Sequence, residues 1–205
     1  MKKVLLSAAA LFIAGLSFGQ AKFGIVAGPS FSSVTTKVGG DKETSDIKVG
    51  VRAGFTADIP LADEFYIQPS LLYVGKGSKD SRDFIGGTDI SYERSLHYIN
   101  VPVNFLFKPE VGTGNLILGV GPYFAYAVGG KFGSNSDDIF EDDYLDGVKR
   151  FDSGGNLQFG YEMKSGLNFT LNAEMGFINL RHDGDNDNAF RNNSFGVSVG
   201  YKFGR

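Results

Sequence analysis

Cysteine and tryptophan are both missing from the 205-residue chain, and it contains only two histidines. Without cysteine, the chain has no disulfide framework, no thiolate metal site and no acyl group attached to a cysteine. After the N-terminal segment, no apolar stretch approaches the roughly 20 residues that a membrane-spanning helix needs. A chain of this kind enters a membrane only as a closed β-barrel, because lipid offers no partners to unpaired backbone groups.

Glycine and aromatic residues are abundant, with 29 Gly, 19 Phe and 9 Tyr. When both classes are raised together, the composition is typical of all-β proteins. The formal net charge is −3, so basic residues do not dominate. Because nucleic-acid binding depends on basic patches, this balance argues against a nucleic-acid partner.

The start of the chain predicts a secretory signal peptide at residues 1–19. Lys2 and Lys3 supply the charged beginning, and residues 4–18 form an uncharged apolar run that ends among small residues. This run is too short to span a membrane comfortably as a helix. We therefore expect the segment to be removed and residues 20–205 to form one barrel domain.

The clearest pattern in the chain covers residues 194–203. Alternate positions there are apolar or aromatic: Phe195, Val197, Val199, Tyr201 and Phe203. The positions between them are small or polar: Ser194, Gly196, Ser198, Gly200 and Lys202. A period of two is that of a β-strand, whose successive side chains face opposite sides of the sheet.

The same alternation recurs along the chain. It predicts eight strands, at residues 21–34, 47–59, 65–75, 94–108, 116–128, 151–163, 167–180 and 194–203. Long polar connections follow the first, third, fifth and seventh strands, and short turns follow the second, fourth and sixth. Outer-membrane barrels show this asymmetry, with long loops outside and tight periplasmic turns. Pro69, Pro102 and Pro122 fall inside predicted strands and count against those positions, because proline donates no ladder hydrogen bond.

The apolar rows have two possible orientations. The opposite face is dominated by Gly, Ser, Asn and Thr with scattered charges, which suits the narrow interior of an eight-stranded barrel. A soluble exterior would carry more Lys and Glu. We therefore predict an all-β fold, an eight-stranded antiparallel up-and-down transmembrane β-barrel with its apolar rows facing lipid. The alternative is a soluble lipocalin-like barrel with those rows around a ligand.

Several polar or charged side chains should face the lumen of such a barrel. They are Lys48, Arg52, Asp58, Gln68, Glu162, Glu174 and Lys202. Arg52 and Glu174 lie near mid-strand, where a charge needs a partner or water, so we expect an ion-pair network there. The network either plugs the lumen or lines a narrow polar passage, and the small bore of eight strands favours a plug.

A family resemblance follows from several short segments. They are Tyr98-Ile99-Asn100-Val101-Pro102, Gly121-Pro122-Tyr123, Phe151-Asp152 and Tyr201-Lys202-Phe203. With the signal peptide and the strand count, they make the chain similar to the porin-family outer-membrane β-barrel domain. More loosely, it resembles the OmpA/OmpX-like eight-stranded barrels. The resemblance covers nearly all of residues 20–205.

The resemblance implies a place in the bacterial outer membrane, with outer-membrane lipids as surroundings. It also implies insertion by the outer-membrane barrel assembly machinery, which reads the final aromatic strand. The residues of that signal would be Phe195, Val197, Val199, Tyr201 and Phe203. Gly204 and Arg205 follow the last aromatic residue, where such chains often end.

The residues that carry chemistry do not predict catalysis. His97 lies near Ser91, Glu93 and Ser95, but neighbours within one strand alternate sides and do not make a triad. We expect no enzyme activity and no cofactor.

A short acidic loop imitates part of a metal site. Asp183, Asp185 and Asp187 resemble the start of a calcium loop. However, Asn188 stands where the turn needs glycine, and Ser194 stands where the closing glutamate belongs. A solvated acidic loop is the better interpretation, so we predict no metal site.

These patterns predict a structural or surface role with at most limited passive diffusion of small solutes. The alternative function is adhesion or recognition, in which long acidic loops bind an extracellular protein partner. The loop at residues 137–146 is the most acidic of these.

Overall fold

The computed structural model describes residues 21–39, 41–82, 90–132, 144–145, 148–180 and 188–204. Eight long strands dominate them: β1 (Lys22–Val38), β2 (Lys48–Ala62), β3 (Phe65–Arg82), β4 (Ile90–Phe107), β5 (Gly114–Phe132), β6 (Phe151–Met163), β7 (Leu167–Gly176) and β8 (Asn188–Lys202). Short strands at Asp41–Thr44, Glu110–Val111, Tyr144–Leu145 and Val148–Lys149 lie in the connections. Within these residues, no helix has the length and hydrophobicity needed to cross a membrane.

Each long strand pairs antiparallel with the strands before and after it, and β1 also pairs with β8. At this closing seam Ala27 lies opposite Val199 and Phe31 lies opposite Phe195. Every long strand therefore has two neighbours, so none of them is left as an open edge. The predicted eight-stranded antiparallel barrel is confirmed.

The outer wall of the barrel is apolar. Phe55, Val120 and Leu157 are 63%, 56% and 54% exposed, whereas the inward-facing Tyr98 and Tyr123 are 0% exposed. Rows of exposed apolar side chains on this scale suit hydrocarbon and do not suit water. The predicted orientation is confirmed, and the soluble barrel with an apolar cavity does not fit.

Several strands run further than predicted. β3 and β4 continue into the predicted loop at residues 76–91, with ladder partners from Lys76 and Leu96 out to Arg82 and Ile90. Strand pairing uses backbone hydrogen bonds and does not require apolar side chains. The β3–β4 hairpin therefore continues beyond the point where apolar and polar residues alternate. In the same way, β1, β5 and β8 extend at their loop ends by a few residues.

The seventh strand is shorter than predicted, ending at Gly176 instead of residue 180. The chain then leaves regular pairing, and Leu180 donates its backbone N–H to the carbonyl of Phe190. Leu180 is completely buried. A period-two pattern does not distinguish such an irregular inward segment from a strand.

The expectation that the strand prolines disfavour strands is wrong. Pro69, Pro102 and Pro122 lie inside β3, β4 and β5. The β3–β4 register is the same on both sides of Pro102, with Pro69 opposite Val103 and Leu72 opposite Asn100. The missing donors cost only local ladder bonds, which the long strands tolerate.

Short turns join the strands at one end of the barrel, which we call the turn end. Gly112 and Gly166 have φ angles of 62° and 90° there, in the left-handed region that suits glycine. The long connections lie at the opposite end, the loop end. This arrangement lets side chains from the strand ends converge inside the turn end.

Candidate functional site

The lumen is filled largely by polar side chains, and the one long strand without a buried residue of the polar or charged type in its described part is β5, which contributes Tyr123, Ala125 and Ala127. One recurrent type is asparagine, buried at Asn100, Asn104, Asn156, Asn168, Asn172 and Asn192. Asparagine offers both donors and an acceptor, so it links charged groups without adding charge. Eight of the nine buried charged side chains among the described residues form two separate sets, and the ninth is Lys48.

The turn-end cluster consists of Asp58, Lys108, Glu162 and Lys202. One Asp58 oxygen lies 2.5 Å from the Nζ of Lys202, and the other lies 3.0 Å from the Nζ of Lys108. Lys108 also lies 2.7 Å from Glu162. Two ammonium groups thus balance two carboxylates, and this pairing offsets part of the desolvation cost of burying them.

Neutral groups complete the turn-end cluster. Gln68 donates from Nε2 to Asp58 at 2.7 Å, and Lys202 donates to the hydroxyl of Thr56 at 2.7 Å. The Nζ of Lys108 lies 5.2 Å from the ring centroid of Tyr66. Asp58 therefore receives hydrogen bonds from three side chains, as a fully buried carboxylate requires.

A layer of amides lies further from the turn end. Asn104 donates to Gln158 at 2.9 Å and accepts from Asn156 at 2.8 Å. On β4 its position falls between Lys108 and Asn100, and thus between the two charged sets. The layer ties β4 to β6 across the lumen with neutral hydrogen bonds.

The mid-barrel cluster consists of Arg52, Lys76, Asp152 and Glu174. The Nζ of Lys76 lies 2.8 Å from Glu174 and 3.9 Å from Asp152. Glu174 also accepts hydrogen bonds from Asn100 at 2.7 Å and from Ser194 at 3.1 Å. As at the turn end, two cations face two carboxylates.

Tyrosines enclose the mid-barrel cluster on one side. The Tyr123 hydroxyl donates to Asp152 at 3.3 Å, and Asn192 donates to the same carboxylate at 3.2 Å. The Nζ of Lys76 lies 4.6 Å from the ring centroid of Tyr123 and 5.5 Å from that of Tyr98. Desolvated cation–π contacts of this kind add to the stabilisation of a buried ammonium group.

An apolar cap covers this cluster towards the loop end. It is formed by Leu96, Ala125, Ala127 and Leu180 packed on Tyr98 and Tyr123, with Ile178 and Phe190 beside them. Leu96 and Leu180 are 1% and 0% exposed, so apolar atoms cover this part of the lumen. Apolar side chains at this position disfavour the passage of hydrated ions.

All seven side chains predicted to face the lumen are buried inside the barrel. Asp58, Gln68, Glu162 and Lys202 meet at the turn end, and Lys48 contacts Ser95. Arg52 and Glu174 attract each other electrostatically, but the short contact of Glu174 is with Lys76. The sequence predicted Arg52 as the partner of Glu174. The structure adds Lys76, which the sequence pattern assigned to a loop.

Three charged residues of the lumen were missed by the sequence pattern: Lys76, Lys108 and Asp152. Each lies two residues from an inward-facing position of the same chain segment and therefore also points inward. Lys76 follows Val74, Lys108 follows Leu106, and Asp152 precedes Gly154. Extending the period of two beyond the apolar segment would have found them. Their partners would not have followed, because partners come from strands on other sides of the barrel.

The last strand places its apolar row outside. Phe195, Val197, Val199, Tyr201 and Phe203 are all well exposed on the wall. Their role as an assembly signal stays a prediction.

His97 contacts a tyrosine of the neighbouring strand, and the side chains of Ser91 and Glu93 lie outside those that the structure describes. Its Nδ1 is 2.6 Å from the hydroxyl of Tyr73, and the two rings stack with centroids 5.7 Å apart. This contact gives His97 a structural explanation on the outer side of β4.

Three predicted features lie wholly or largely outside the described residues. They are the signal peptide at residues 1–19, the acidic triplet Asp183, Asp185 and Asp187, and the acidic loop at residues 137–146 apart from residues 144 and 145. Among the residues that the structure does describe, no group of three metal-ligating side chains comes together.

A sequence model of the outer membrane protein beta-barrel domain matches residues 14–181. The chain belongs to this family. Together with the closed barrel and its apolar wall, membership makes the protein an integral outer-membrane β-barrel. A comparison with curated protein sequences gave no match.

Solved structures of similar architecture share little sequence with this barrel. One is Ail, the attachment invasion locus protein of Yersinia pestis, which was solved in complex with the heparin analogue sucrose octasulfate. It is 15% identical to this chain, the match covers 89% of this chain and 99% of that chain, and the TM-score is 0.46. OprG from Pseudomonas aeruginosa is 15% identical, with coverages of 90% and 97% and a TM-score of 0.45. A major outer membrane protein from Thermus thermophilus is 11% identical, with coverages of 90% and 100% and a TM-score of 0.41.

Proposed function

We propose that the protein is a structural and surface component of a bacterial outer membrane, with at most limited passive diffusion of small solutes through its lumen. The observation that carries this proposal is the filling of the lumen by two charge-balanced clusters, an amide layer and an apolar cap. In this interpretation the buried groups act as a plug that stabilises the barrel.

The electrostatics of the lumen oppose conduction. An ion on its way through the turn-end cluster would have to replace Lys108 or Lys202 as a partner of Asp58, at contacts of 3.0 Å and 2.5 Å. It would next have to separate Lys76 from Glu174, at 2.8 Å. Breaking either buried pair leaves an uncompensated charge, which is strongly unfavourable.

Conductance of the refolded mature chain in planar lipid bilayers tests this proposal. We expect no steady channel openings in 1 M salt, and no swelling of liposomes that contain the barrel in solutions of small sugars. A matched variant, Leu96→Ser with Leu180→Ser, replaces the two leucines of the apolar cap and leaves the side chains of both charged clusters unchanged. Ohmic single-channel openings of the unmodified barrel would contradict the closed lumen.

Surface recognition is the second candidate function. Its basis is the concentration of carboxylates in the connection at residues 137–146, which contains Asp137, Asp138, Glu141, Asp142, Asp143 and Asp146. Such a segment would suit a basic patch on an extracellular protein. Deleting residues 137–146 should abolish attachment of expressing cells to that protein, whereas replacing the same segment by an uncharged Gly/Ser stretch separates loss of charge from loss of length.

We also propose that the assembly machinery of the outer membrane is a partner through β8. Tyr201→Ala with Phe203→Ala should slow insertion in cells, because the aromatic end of the last strand is lost. Phe65→Ala, which removes an exposed aromatic residue at the same end of the barrel, is the matched control. Equal insertion of both variants would contradict this role. Neither nucleic acid, a cofactor nor an enzymatic reaction is part of the proposal.

A further inference from the structure

One tyrosine on the outer wall has its hydroxyl group against a nitrogen base. The hydroxyl oxygen of Tyr73 on β3 lies 2.6 Å from Nδ1 of His97 on β4. The two rings stack with centroids 5.7 Å apart and an angle of 16° between their planes. A separation of 2.6 Å is at the short end of the range for hydrogen bonds with an O–H donor. The hydrogen bond and the stacking therefore hold the phenol in one position relative to the imidazole.

The phenol of Tyr73 is the donor in this hydrogen bond. A phenol is a stronger acid than the N–H group of a neutral imidazole, and an unprotonated ring nitrogen is a better acceptor than a phenol oxygen. His97 therefore accepts at Nδ1 and carries its own hydrogen on Nε2, since the contact at one ring nitrogen sets the tautomer. The phenolic proton of Tyr73 thus already points at an atom that can receive it.

Glycine lies on both sides of the imidazole. In the ladders, His97 is opposite Gly75 on β3 and opposite Gly129 on β5. A Cβ atom at Gly129 would lie 3.4 Å from Cδ2 of the imidazole, so a larger residue there would crowd the ring. No side chain of a directly opposed residue covers the imidazole, and Tyr73 is 38% exposed. The pair is therefore accessible from outside the barrel.

The pair lies where the apolar wall ends. Towards the loop end, Tyr73 is the last large side chain in the outward row of β3, and the next outward position is Gly75. On β4, Ile99 lies opposite Tyr73, and His97 is the next outward residue. Aromatic side chains at the end of the apolar wall mark the boundary between hydrocarbon and water in outer-membrane barrels. At this boundary the hydroxyl group of Tyr73 meets reactants from the lipid and proton donors from the water.

The other described tyrosine side chains of the outer wall lack such a base. Tyr126 on β5 is 47% exposed, but its hydroxyl group has no hydrogen bond to a described side chain. Tyr201 packs edge-on against Phe203. Tyr161 donates to the backbone carbonyl of Val111, which is too weak a base to take the proton. Tyr126 is therefore an internal control, exposed like Tyr73 but without a base.

We propose that Tyr73 donates a hydrogen atom to peroxyl radicals at the membrane surface, and that His97 is the base that receives the phenolic proton. Peroxyl radicals carry the chain reaction by which unsaturated lipids are oxidised, and one hydrogen atom converts each of them into a hydroperoxide. Tyr73 interrupts one such chain per barrel. This chemical role of the outer wall does not depend on whether the lumen conducts.

The step balances without a further reactant. One electron passes from the phenol to the peroxyl radical, and the phenolic O–H bond breaks as its proton moves to Nδ1 of His97. The resulting peroxide anion takes the proton of Nε2, directly or through interfacial water, so a hydroperoxide forms and the imidazole is neutral again. The new N–H group at Nδ1 then donates to the phenoxyl oxygen of Tyr73. The products are one hydroperoxide and one tyrosyl radical.

Oxidation of the refolded barrel in liposomes of unsaturated phosphatidylcholine tests this proposal. A lipid-soluble azo initiator supplies peroxyl radicals within the bilayer, and a water-soluble one supplies them from outside. Electron paramagnetic resonance detects the tyrosyl radical, and peptide mass spectrometry locates the oxidised residue. We expect Tyr73 to be oxidised about 100-fold faster than Tyr126, because a positioned base accelerates proton transfer by at least about that factor. Reaction with either initiator supports the role, and the faster of the two identifies the phase that supplies the radical.

Variants of His97 separate the base from the hydrogen bond and the stacking. His97→Phe keeps an aromatic ring beside Tyr73 and removes the base, so oxidation of Tyr73 should fall to the rate of Tyr126. His97→Gln keeps a hydrogen-bond acceptor that does not take up protons and should be equally slow. Tyr126→Phe is the matched control and should leave the radical yield unchanged. Heat-dependent gel mobility checks that each variant is folded.

Three results would overturn the proposal. One is equal oxidation of Tyr73 and Tyr126 in the unmodified barrel. Another is unchanged oxidation of Tyr73 in both His97 variants, which would make the hydrogen bond a structural contact only. The third is a radical signal that keeps its full intensity in Tyr73→Phe.

Discussion

The two charged clusters of the lumen contain the same groups, two cations and two carboxylates, but differ in how they are satisfied. At the turn end, Asp58 is held directly by Lys108 and Lys202, with contacts of 3.0 Å and 2.5 Å. In the mid-barrel cluster one ammonium group, that of Lys76, serves both Glu174 and Asp152. The second cation, Arg52, has no hydrogen bond from its Nε within the described residues.

This difference shows how the barrel stabilises buried charged side chains at two depths of the lumen. The turn-end groups lie close to the mouth, and the side chains of Glu162 and Lys108 retain 9% and 5% of their exposure. The mid-barrel groups are deeper, and tyrosine and asparagine donors replace the missing ion contacts. A single cation shared by two buried carboxylates makes Lys76 the most sensitive position of the lumen.

The largest effect is expected for Lys76→Met, which keeps the length of the side chain and removes its charge. Glu174 and Asp152 would then be buried without their common partner, at a cost of about 3–5 kcal/mol in the free energy of unfolding. Reversible denaturant unfolding in detergent micelles measures this loss.

The double variant Lys76→Met/Glu174→Gln is the control for that prediction. It removes one charge of each sign and should recover a substantial part of the lost stability. If the single variant unfolds at the same denaturant concentration as the unmodified barrel, the mid-barrel cluster does not contribute to stability.

A smaller loss, about 2 kcal/mol, is expected for Lys108→Met. Asp58 keeps Lys202 and Gln68 as partners, and Glu162 lies where water reaches it more easily. The same unfolding measurement should place this variant between Lys76→Met and the unmodified barrel. A larger loss than that of Lys76→Met would reverse the proposed order of the two clusters.

Arg52→Leu should have a weaker effect, about 1 kcal/mol, seen as reduced heat resistance of the folded band in detergent gels. Its guanidinium attracts Glu174, but removing it also removes a costly buried cation. Arg52→Lys, which keeps the charge, should restore the heat resistance. An unchanged unfolding temperature for Arg52→Leu would remove this residue from the network.

The smallest effect is expected outside the lumen, for Lys164→Met. Lys164 lies 3.6 Å from Glu110, and both side chains are 69% exposed, so solvent screens the pair. The unfolding temperature should be the same as that of the unmodified barrel within experimental error. A measurable loss would show that exposed turn pairs matter as much as buried ones.

The outer wall was predictable because it obeys a local rule. Every second residue faces lipid, so spacing placed Phe55, Val120 and Leu157 in the apolar rows, and the small and polar character of the opposite face placed those rows on the wall. The alternation predicted strands that are too short at β3 and β4, where a polar hairpin extends both. It predicted a strand that is too long at β7, because the chain turns inward before Leu180. Both errors fall where side-chain hydrophobicity no longer reports on backbone pairing.

The alternation of residues along each strand and the lengths of the connections were thus enough to predict a membrane barrel. They were also enough to predict that side chains such as Arg52 and Glu174 face the lumen. The choice of ion-pair partners came only from the closed barrel, because Lys76, Asp152 and Glu174 come from three separate strands. Strand register and closure set the distances between them across the lumen, and no period along a single strand contains that information. The same register places Arg191 opposite Thr35, 156 positions apart in the chain.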